Sequence, residues 1–334
     1  MTILVTGGLG FIGSHTCVEL LSKGYDVVII DNLCNSQIDV LDKITYLAKR
    51  KPKFYQGDLL NRIQIENIFR DNKINAVIHF AGLKAVGESV NKPLEYYYNN
   101  LTGTLNLCDI MKKYNCLNMV FSSSATVYGM NNEVPFREDM ERSFTNPYGA
   151  TKVMIEDILN DLVKANSEWH IVLLRYFNPI GAHESGLLGE KPVGVPNNLL
   201  PYIMQVGAGK LECLNIYGND YDTPDGTGVR DYIHVVDLAE GHVNAINYMM
   251  QQSGIEAINL GTGKGYSVLE IVHTFEEVNN IKIKYQIAPR RLGDIANCYA
   301  DVTKAKMLLR WEARRDLKVM CKDSWNFAKK EYFG

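Results

Sequence analysis

Short apolar runs alternate with amphipathic stretches through the first half of the chain. Ile3-Leu4-Val5, Val27-Val28-Ile29-Ile30, Val77-Ile78-His79-Phe80, Met119-Val120-Phe121 and Ile171-Val172-Leu173-Leu174 are brief, turn-bounded and rich in β-branched residues. That is the pattern of parallel strands buried on both faces. Between them, residues 13–23, 38–50, 61–72, 93–113 and 148–165 read as helices. In the last, Ile155, Ile158, Leu159 and Leu162 form an i, i+3, i+4, i+7 stripe. The alternation predicts an α/β fold, a doubly wound parallel sheet with helices on both faces. Past residue 177 the pattern changes. Residues 178–230 are rich in Gly, Pro and Asn with little periodicity, which suggests a loop-rich cap rather than more sheet. Residues 231–262 read as helix then strand, and residues 266–334 as mixed helices and short strands that close the cap. The expected organisation is a first domain of residues 1–177, joined by the returning segment 231–262. A smaller mixed α/β domain would be built from 178–230 and 263–334.

Composition narrows the class of protein. A chain of 334 residues is long for one core, so two domains are the default. With 46% apolar and 22% charged residues it reads as an ordinary globular protein. A net charge of -3 argues against a nucleic-acid or anionic-membrane surface. The seven cysteines are dispersed without a C-x-x-C pair, and the seven histidines form no H-x-x-x-H. No metal site is therefore expected. The chain passes directly into its first strand and has no apolar run long enough to span a bilayer. The expectation is a cytoplasmic protein with neither signal peptide nor membrane span.

The first strand runs into Thr6-Gly7-Gly8-Leu9-Gly10-Phe11-Ile12-Gly13. Such a loop between a strand and a helix permits a tight turn and close approach of backbone to a pyrophosphate at the helix N-terminus. Gly7, Gly10, Phe11, Ile12 and Gly13 are accordingly candidate dinucleotide contacts, and the first domain reads as a Rossmann domain. The spacing is G-x-x-G-x-x-G, which elsewhere is equally a plain structural turn. Asp31 ends the second strand. A carboxylate there accepts from adenosine ribose hydroxyls and repels a 2′-phosphate, favouring NAD over NADP; the competing reading is an ordinary solvated aspartate. Asp58, in Gly57-Asp58-Leu59, is placed for an adenine contact.

Tyr148 and Lys152 carry the chemistry. Four residues apart on a helix, they put a phenol and an ammonium on one face. Opposite charge favours phenolate, and bringing a phenol from about pH 10 to neutrality takes roughly 4 kcal/mol. An ammonium together with a cationic nicotinamide ring could supply it. The pair reads as a base that strips a sugar hydroxyl proton while NAD takes the hydride. Ser122-Ser123-Ser124 lies past the carboxyl end of the fourth of these strands, where doubly wound sheets bind ligands. Ser124 could hydrogen-bond a sugar oxygen and relay a proton toward Tyr148. Read singly, a serine cluster caps a loop and a Y-x-x-x-K is a surface pair.

Together these residues resemble the extended short-chain dehydrogenase/reductases, and among them the UDP-glucose (UDP-galactose) 4-epimerases. The resemblance is dense over His79–Ser89, Ser122–Gly129, Leu174–Pro179, Pro196–Leu199 and Gly226–His234. It implies one tightly held NAD, a catalytic set of Ser124, Tyr148 and Lys152, a UDP-sugar substrate and a homodimer pairing through 93–113 and 148–165. It further implies NAD contacts from Asn32, Asn35, Ser36, Leu59, Phe80, Ala81, Gly82, Lys84, Asn99 and Phe177, besides the catalytic three. Substrate contacts would come from Ser124, Tyr148, Asn178, Asn198, Leu199, Tyr217, Arg230, Arg291, Asp294 and Cys298. The two arginines would hold the pyrophosphate.

One departure and three rivals sharpen the expectation. Some relatives carry a tyrosine at the position of Cys298. A thiol there would leave room for a larger sugar 2-substituent and so for UDP-N-acetylglucosamine and UDP-N-acetylgalactosamine. The alternatives are that Cys298 is merely a small buried residue, or that Tyr299 fills the space. Sugar-nucleotide dehydratases and decarboxylases need carboxyl groups that Ala125-Thr126 lack. A dehydrogenase with dissociable NAD and a non-catalytic NAD sensor are the other rivals; the complete Ser124, Tyr148 and Lys152 set argues against the sensor.

Overall fold

The computed structural model describes residues 1–192, 194–291 and 293–333. The first half of the chain forms β1 (Thr2–Thr6), α1 (Phe11–Ser22), β2 (Asp26–Asp31), α2 (Asp39–Ala48), β3 (Lys53–Gln56), α3 (Arg62–Asp71), β4 (Ala76–His79), α4 (Val86–Asn91), α5 (Pro93–Tyr97), α6 (Gly103–Lys113), β5 (Asn118–Ser124) and α7 (Pro147–Ala165). It continues through β6 (His170–Tyr176), β7 (Asn178–Ile180), α8 (Leu199–Gly207), β8 (Leu214–Tyr217), β9 (Val229–His234), α9 (Val235–Met249), β10 (Gly254–Leu260), β11 (Gly265–Ser267), α10 (Val268–Asn279), β12 (Tyr285–Ala288), β13 (Asn297–Cys298) and α11 (Leu317–Phe333).

Seven parallel strands make the central sheet in the order β10-β6-β5-β4-β1-β2-β3. Alternation along each strand feeds two cores. Ile3, Val5, Val27 and Ile29 join the face covered by α1, α2 and α9, while Leu4, Val28 and Ile30 join the face covered by α3, α6 and α7. Both faces are therefore dry, which is why these strands read as continuous apolar runs. β3 had no such run. Its Lys53-Phe54-Tyr55-Gln56 is only partly buried at the sheet edge, and an edge strand needs apolar side chains on fewer sides. Asp58 follows this strand.

Two other expectations need correction. The stretch 93–113 is not one α-helix: residues 98–102 make a π-helical turn between α5 and α6, and it brings Asn99 and Asn100 round toward the site. Residues 178–230 are not only loop. They hold β7, α8 and β8, and β7 pairs with β9, which also carries β11 and β13. Three- and four-residue strands are too short to show a period. α8, α10 and α11 pack a separate core around Ile203, Phe275, Met320 and Trp325.

The sheet order reverses between β1 and β4, and there the glycine loop turns. Gly7 has φ +68, and a Cβ on it would stand 2.9 Å from the Ala81 nitrogen of the loop after β4. A Cβ on Gly13 would stand 2.3 Å from the Gly7 carbonyl oxygen. Gly13→Ala is thus expected to cost about 1–3 kcal/mol through overpacking and to lower the thermal midpoint. Gly87→Ala in α4, where a Cβ meets nothing within 4 Å, should leave it level or raise it slightly. Thermal unfolding of the two variants side by side checks this, and equal midpoints would refute it.

Candidate active site

α7 begins where it does because Asn146 caps it, its side chain accepting from Gly149 N at 2.9 Å, and Pro147 fills the first turn. Tyr148 therefore lies in the first turn and Lys152 one turn on. The ammonium of Lys152 lies 5.7 Å from the Tyr148 ring centre and 4.7 Å from that of Phe121. It donates to the Ser122 carbonyl at 2.6 Å. Burial holds Lys152 down to about 8, with the Glu156 carboxylate opposing. The Tyr148 phenol does not behave as the charge argument alone predicts. Protein packed around its hydroxyl pushes it above its ordinary value, and the hydrogen bond with Ser124 pulls the other way. The Lys152 ammonium is turned toward the end of β5, where the Ser122 carbonyl takes it.

The cofactor side fits a dinucleotide. α1 starts at Gly10 with no side chain capping its first amides, which leaves them for an anion. The glycines let the loop fold close against itself, against β2 and against the loop after β4. Asp31 is buried at the end of β2 and joins the two loops around it. One carboxylate oxygen accepts from Leu9 N at 3.0 Å, and the other from Leu33 N at 2.9 Å and Ser36 Oγ at 2.8 Å. Asn32 donates to Asp58 at 2.9 Å, so the two meet beside that loop. Leu59 is buried, and its carbonyl takes Asn106 Nδ2 at 3.0 Å. Ala81 N donates to Thr6 Oγ1 at 3.2 Å, and Phe80 rests 4.8 Å from the His242 ring. Gly82, Lys84 and Asn35 are exposed and Asn99 is partly so. Phe177 is buried where the chain leaves β6 for β7.

The substrate side gathers on β9. Cys298 stands opposite Arg230 in register, and Asn178 opposite Tyr232. Asp294 lies between the arginines, 2.9 Å from Arg291 Nε and 3.9 Å from Arg230 Nη2. The Arg291 guanidinium is 4.8 Å from the Tyr217 ring. Asn198 and Leu199 start α8. Cys298 packs against the cluster of Val127, Tyr128, Phe136 and Phe177, and burial pushes its thiol up to about 11. Tyr299 points elsewhere, its ring against Gly265.

Four residues escaped the sequence reading. Asn100 is buried and bonds both backbone groups of Leu83 and Thr151 Oγ1, tying the loop after β4 to α7. Glu190 accepts from Lys84 at 3.1 Å and Asn198 at 2.7 Å, joining a candidate cofactor contact to a candidate substrate contact. Glu156 and Arg175 form the one ion pair buried on both sides among the described residues, at 2.7 Å. Only Glu156 left a trace in the sequence, as a charge continuing the four-residue spacing of Tyr148 and Lys152 beside the apolar stripe. The partners that place the other three lie outside their own elements, 8 or more positions distant.

Known proteins match this arrangement throughout. The family model described as GDP-mannose 4,6 dehydratase covers residues 4–324. A UDP-glucose 4-epimerase of Bacillus subtilis (strain 168) is 58% identical over 98% of this chain and 96% of its own length. One from Pasteurella multocida is 57% identical over 99% and 98%. The crystal structure of the Bifidobacterium longum UDP-glucose 4-epimerase in complex with NAD+ and UDP superposes with a TM-score of 0.96 at 53% identity, covering 99% of this chain and 98% of that one. With identities above one half sustained over nearly every residue, the chain belongs to the UDP-glucose 4-epimerase family of extended short-chain dehydrogenase/reductases.

Proposed function

We propose that this chain is an NAD-dependent isomerase that interconverts UDP-galactose and UDP-glucose. The observation that carries the reading is the meeting of Ser124, Tyr148 and Lys152 at the carboxyl end of the parallel sheet, in a chain sharing more than half its residues with UDP-glucose 4-epimerases. Bound NAD takes the hydride of the sugar C4 and gives it back. Tyr148 Oη accepts the C4 hydroxyl proton and later returns it to the same oxygen. Ser124 Oγ hydrogen-bonds that oxygen and hands the proton across. Lys152 supplies the fixed positive charge that favours the phenolate. Arg230 and Arg291 hold the UDP pyrophosphate, and Asn178, Asn198, Leu199, Tyr217 and Asp294 fix the rest of the nucleotide sugar. Binding energy from the nucleotide then positions C4 while the sugar stays free to present either face. Net redox is zero, so NAD stays bound. The matched family model has a dehydratase's name, but Ala125 and Thr126 offer no carboxyl group for elimination.

The NAD-binding unit is assigned to residues 1–177 with 231–262, and the UDP-sugar unit to 178–230 and 263–334. β10 lying in the central sheet supports the first boundary. Cys298 packs against the cluster that includes Phe177, and Tyr299 turns to Gly265, so no phenol stands in place of the thiol, which supports space for an N-acetyl group at the sugar C2. A homodimer is supported by apolar side chains left on the surface of neighbouring helices: Val90, Leu94, Tyr98, Leu105 and Met154. No helix among the described residues is long and apolar enough to cross a membrane. All seven cysteines are unpaired, which supports a reducing compartment such as the cytoplasm.

Purified protein given UDP-galactose and no added NAD is expected to form UDP-glucose, resolved by chromatography. Tyr148→Phe should lower turnover about 100-fold or more with NAD retained, because the lost group is the proton acceptor; wild-type turnover in that variant would remove Tyr148 from its role. The enzyme is also expected to interconvert the two N-acetyl sugar nucleotides, and Cys298→Tyr to abolish this while sparing the UDP-galactose reaction. No N-acetyl activity in the wild type would end that proposal. In sedimentation the protein should run as two chains and Tyr98→Glu should shift it toward one. A wild-type monomer would contradict the dimer.

A further inference from the structure

α7 carries a third polar residue on the face of Tyr148 and Lys152. Glu156 follows at the same four-residue spacing and is fully buried. Its Oε1 accepts from Ser123 Oγ at 2.6 Å and Arg175 Nε at 3.0 Å, and its Oε2 from Arg175 Nη2 at 2.7 Å and Arg142 Nη1 at 3.2 Å. Ser123 stands opposite Arg175 in the β5–β6 register. On one side of Ser123 is Ser122, whose carbonyl takes the Lys152 ammonium; on the other is Ser124, the last residue of β5. One carboxylate thus joins the strand bearing the serines to the helix bearing the base.

We infer that Glu156 is a positioning residue of this site: it clamps the end of β5 to α7, and its negative charge keeps Lys152 as the ammonium. The inference rests on the reading of Tyr148 and Lys152 as the proton-transferring pair. A clamp that served packing alone would work as well with apolar groups of the same shape; a carboxylate one turn from a buried ammonium also opposes its loss of a proton. The other groups facing Lys152 do not supply that charge. Tyr148 is a phenol, Phe121 offers only its ring, and His79 on β4 is neutral, held down to about 3 by burial. Around Glu156 stand Arg175 from β6, Arg142 from the loop before α7, and Ser123; Arg142 also pairs with Asp157.

The test is the pH dependence of kcat/KM for the NAD-loaded enzyme on UDP-galactose. Without the carboxylate Lys152 loses its proton at lower pH, so activity falls earlier as pH rises. Glu156→Gln is expected to move the alkaline limb acidward by about one pH unit and to lower kcat about tenfold. Glu156→Asp, which keeps the charge, should hold the limb in place. Ser123→Ala, which removes the strand tether and keeps the charge, should lower kcat several-fold with KM and the limb unmoved. A wild-type limb in Glu156→Gln, or an equal displacement in Glu156→Asp, would overturn the inference. Should Glu156→Gln fail to fold, Ser123→Ala decides, and unchanged kcat there overturns the clamp. Wild-type turnover in Tyr148→Phe would instead remove the underlying reading of the site; its loss beside an unmoved Glu156→Gln limb sinks this inference alone.

Discussion

A positive charge kept out of water is the constraint around which this site is organised. Lys152 is 6% exposed, and an ion so placed loses several kcal/mol of hydration unless the protein replaces it. Replacement comes from the Ser122 carbonyl at 2.6 Å, the face of Phe121 and the charge of Glu156. Each of those partners belongs to the end of β5 or to α7. The strand must therefore stop, and the helix begin, at fixed points relative to each other. Asn146 and Pro147 set the helix start, and the buried Arg175–Glu156 pair ties both elements to β6. Deleting one partner of such a pair costs about 3–5 kcal/mol, because the other charge is stranded.

The cap follows different physics. Its arginines are at or near the surface, and Asp294 lies between them at 2.9 and 3.9 Å. Arg291 is the exposed partner, and an exposed pair contributes about 0–1 kcal/mol, so little holds its guanidinium to Asp294. What must stay rigid is the sheet beneath them. Asp231, buried on β9, accepts from Thr262 N at 2.8 Å, Gly263 N at 3.0 Å and Ala300 N at 3.2 Å. It thereby locks the turn before β11 and the segment after β13 to the strand that carries Arg230. A rigid frame with loosely paired cations at its rim suits a ligand gripped by its nucleotide while its sugar turns.

The phenol shows how two effects compete. The Ser124 side chain favours its ionised form, whereas burial disfavours it, and burial prevails.

Five strand runs, four of the five helical stretches, the glycine loop and the 148/152 pair were legible in the chain, because each depends on local periodicity or on spacing within one turn; the π-helical turn that interrupts 93–113 was not. β3, β7 and β8 were not, since edge and three- or four-residue strands are too brief or too polar to display a period. The direction of the Tyr148 shift was hidden for another reason: desolvation depends on everything that packs around a group, and no spacing rule measures that. By itself the sequence determined a doubly wound sheet, a glycine loop between its first strand and helix, and a phenol and an ammonium one turn apart on α7. The tertiary structure alone decided that Glu156 meets Ser123 and Arg175, that Glu190 bridges Lys84 and Asn198, and that Cys298 faces Phe177 while Tyr299 turns away. Those contacts join residues far apart in the chain, and they exist only once the sheet order and strand register have brought their elements together.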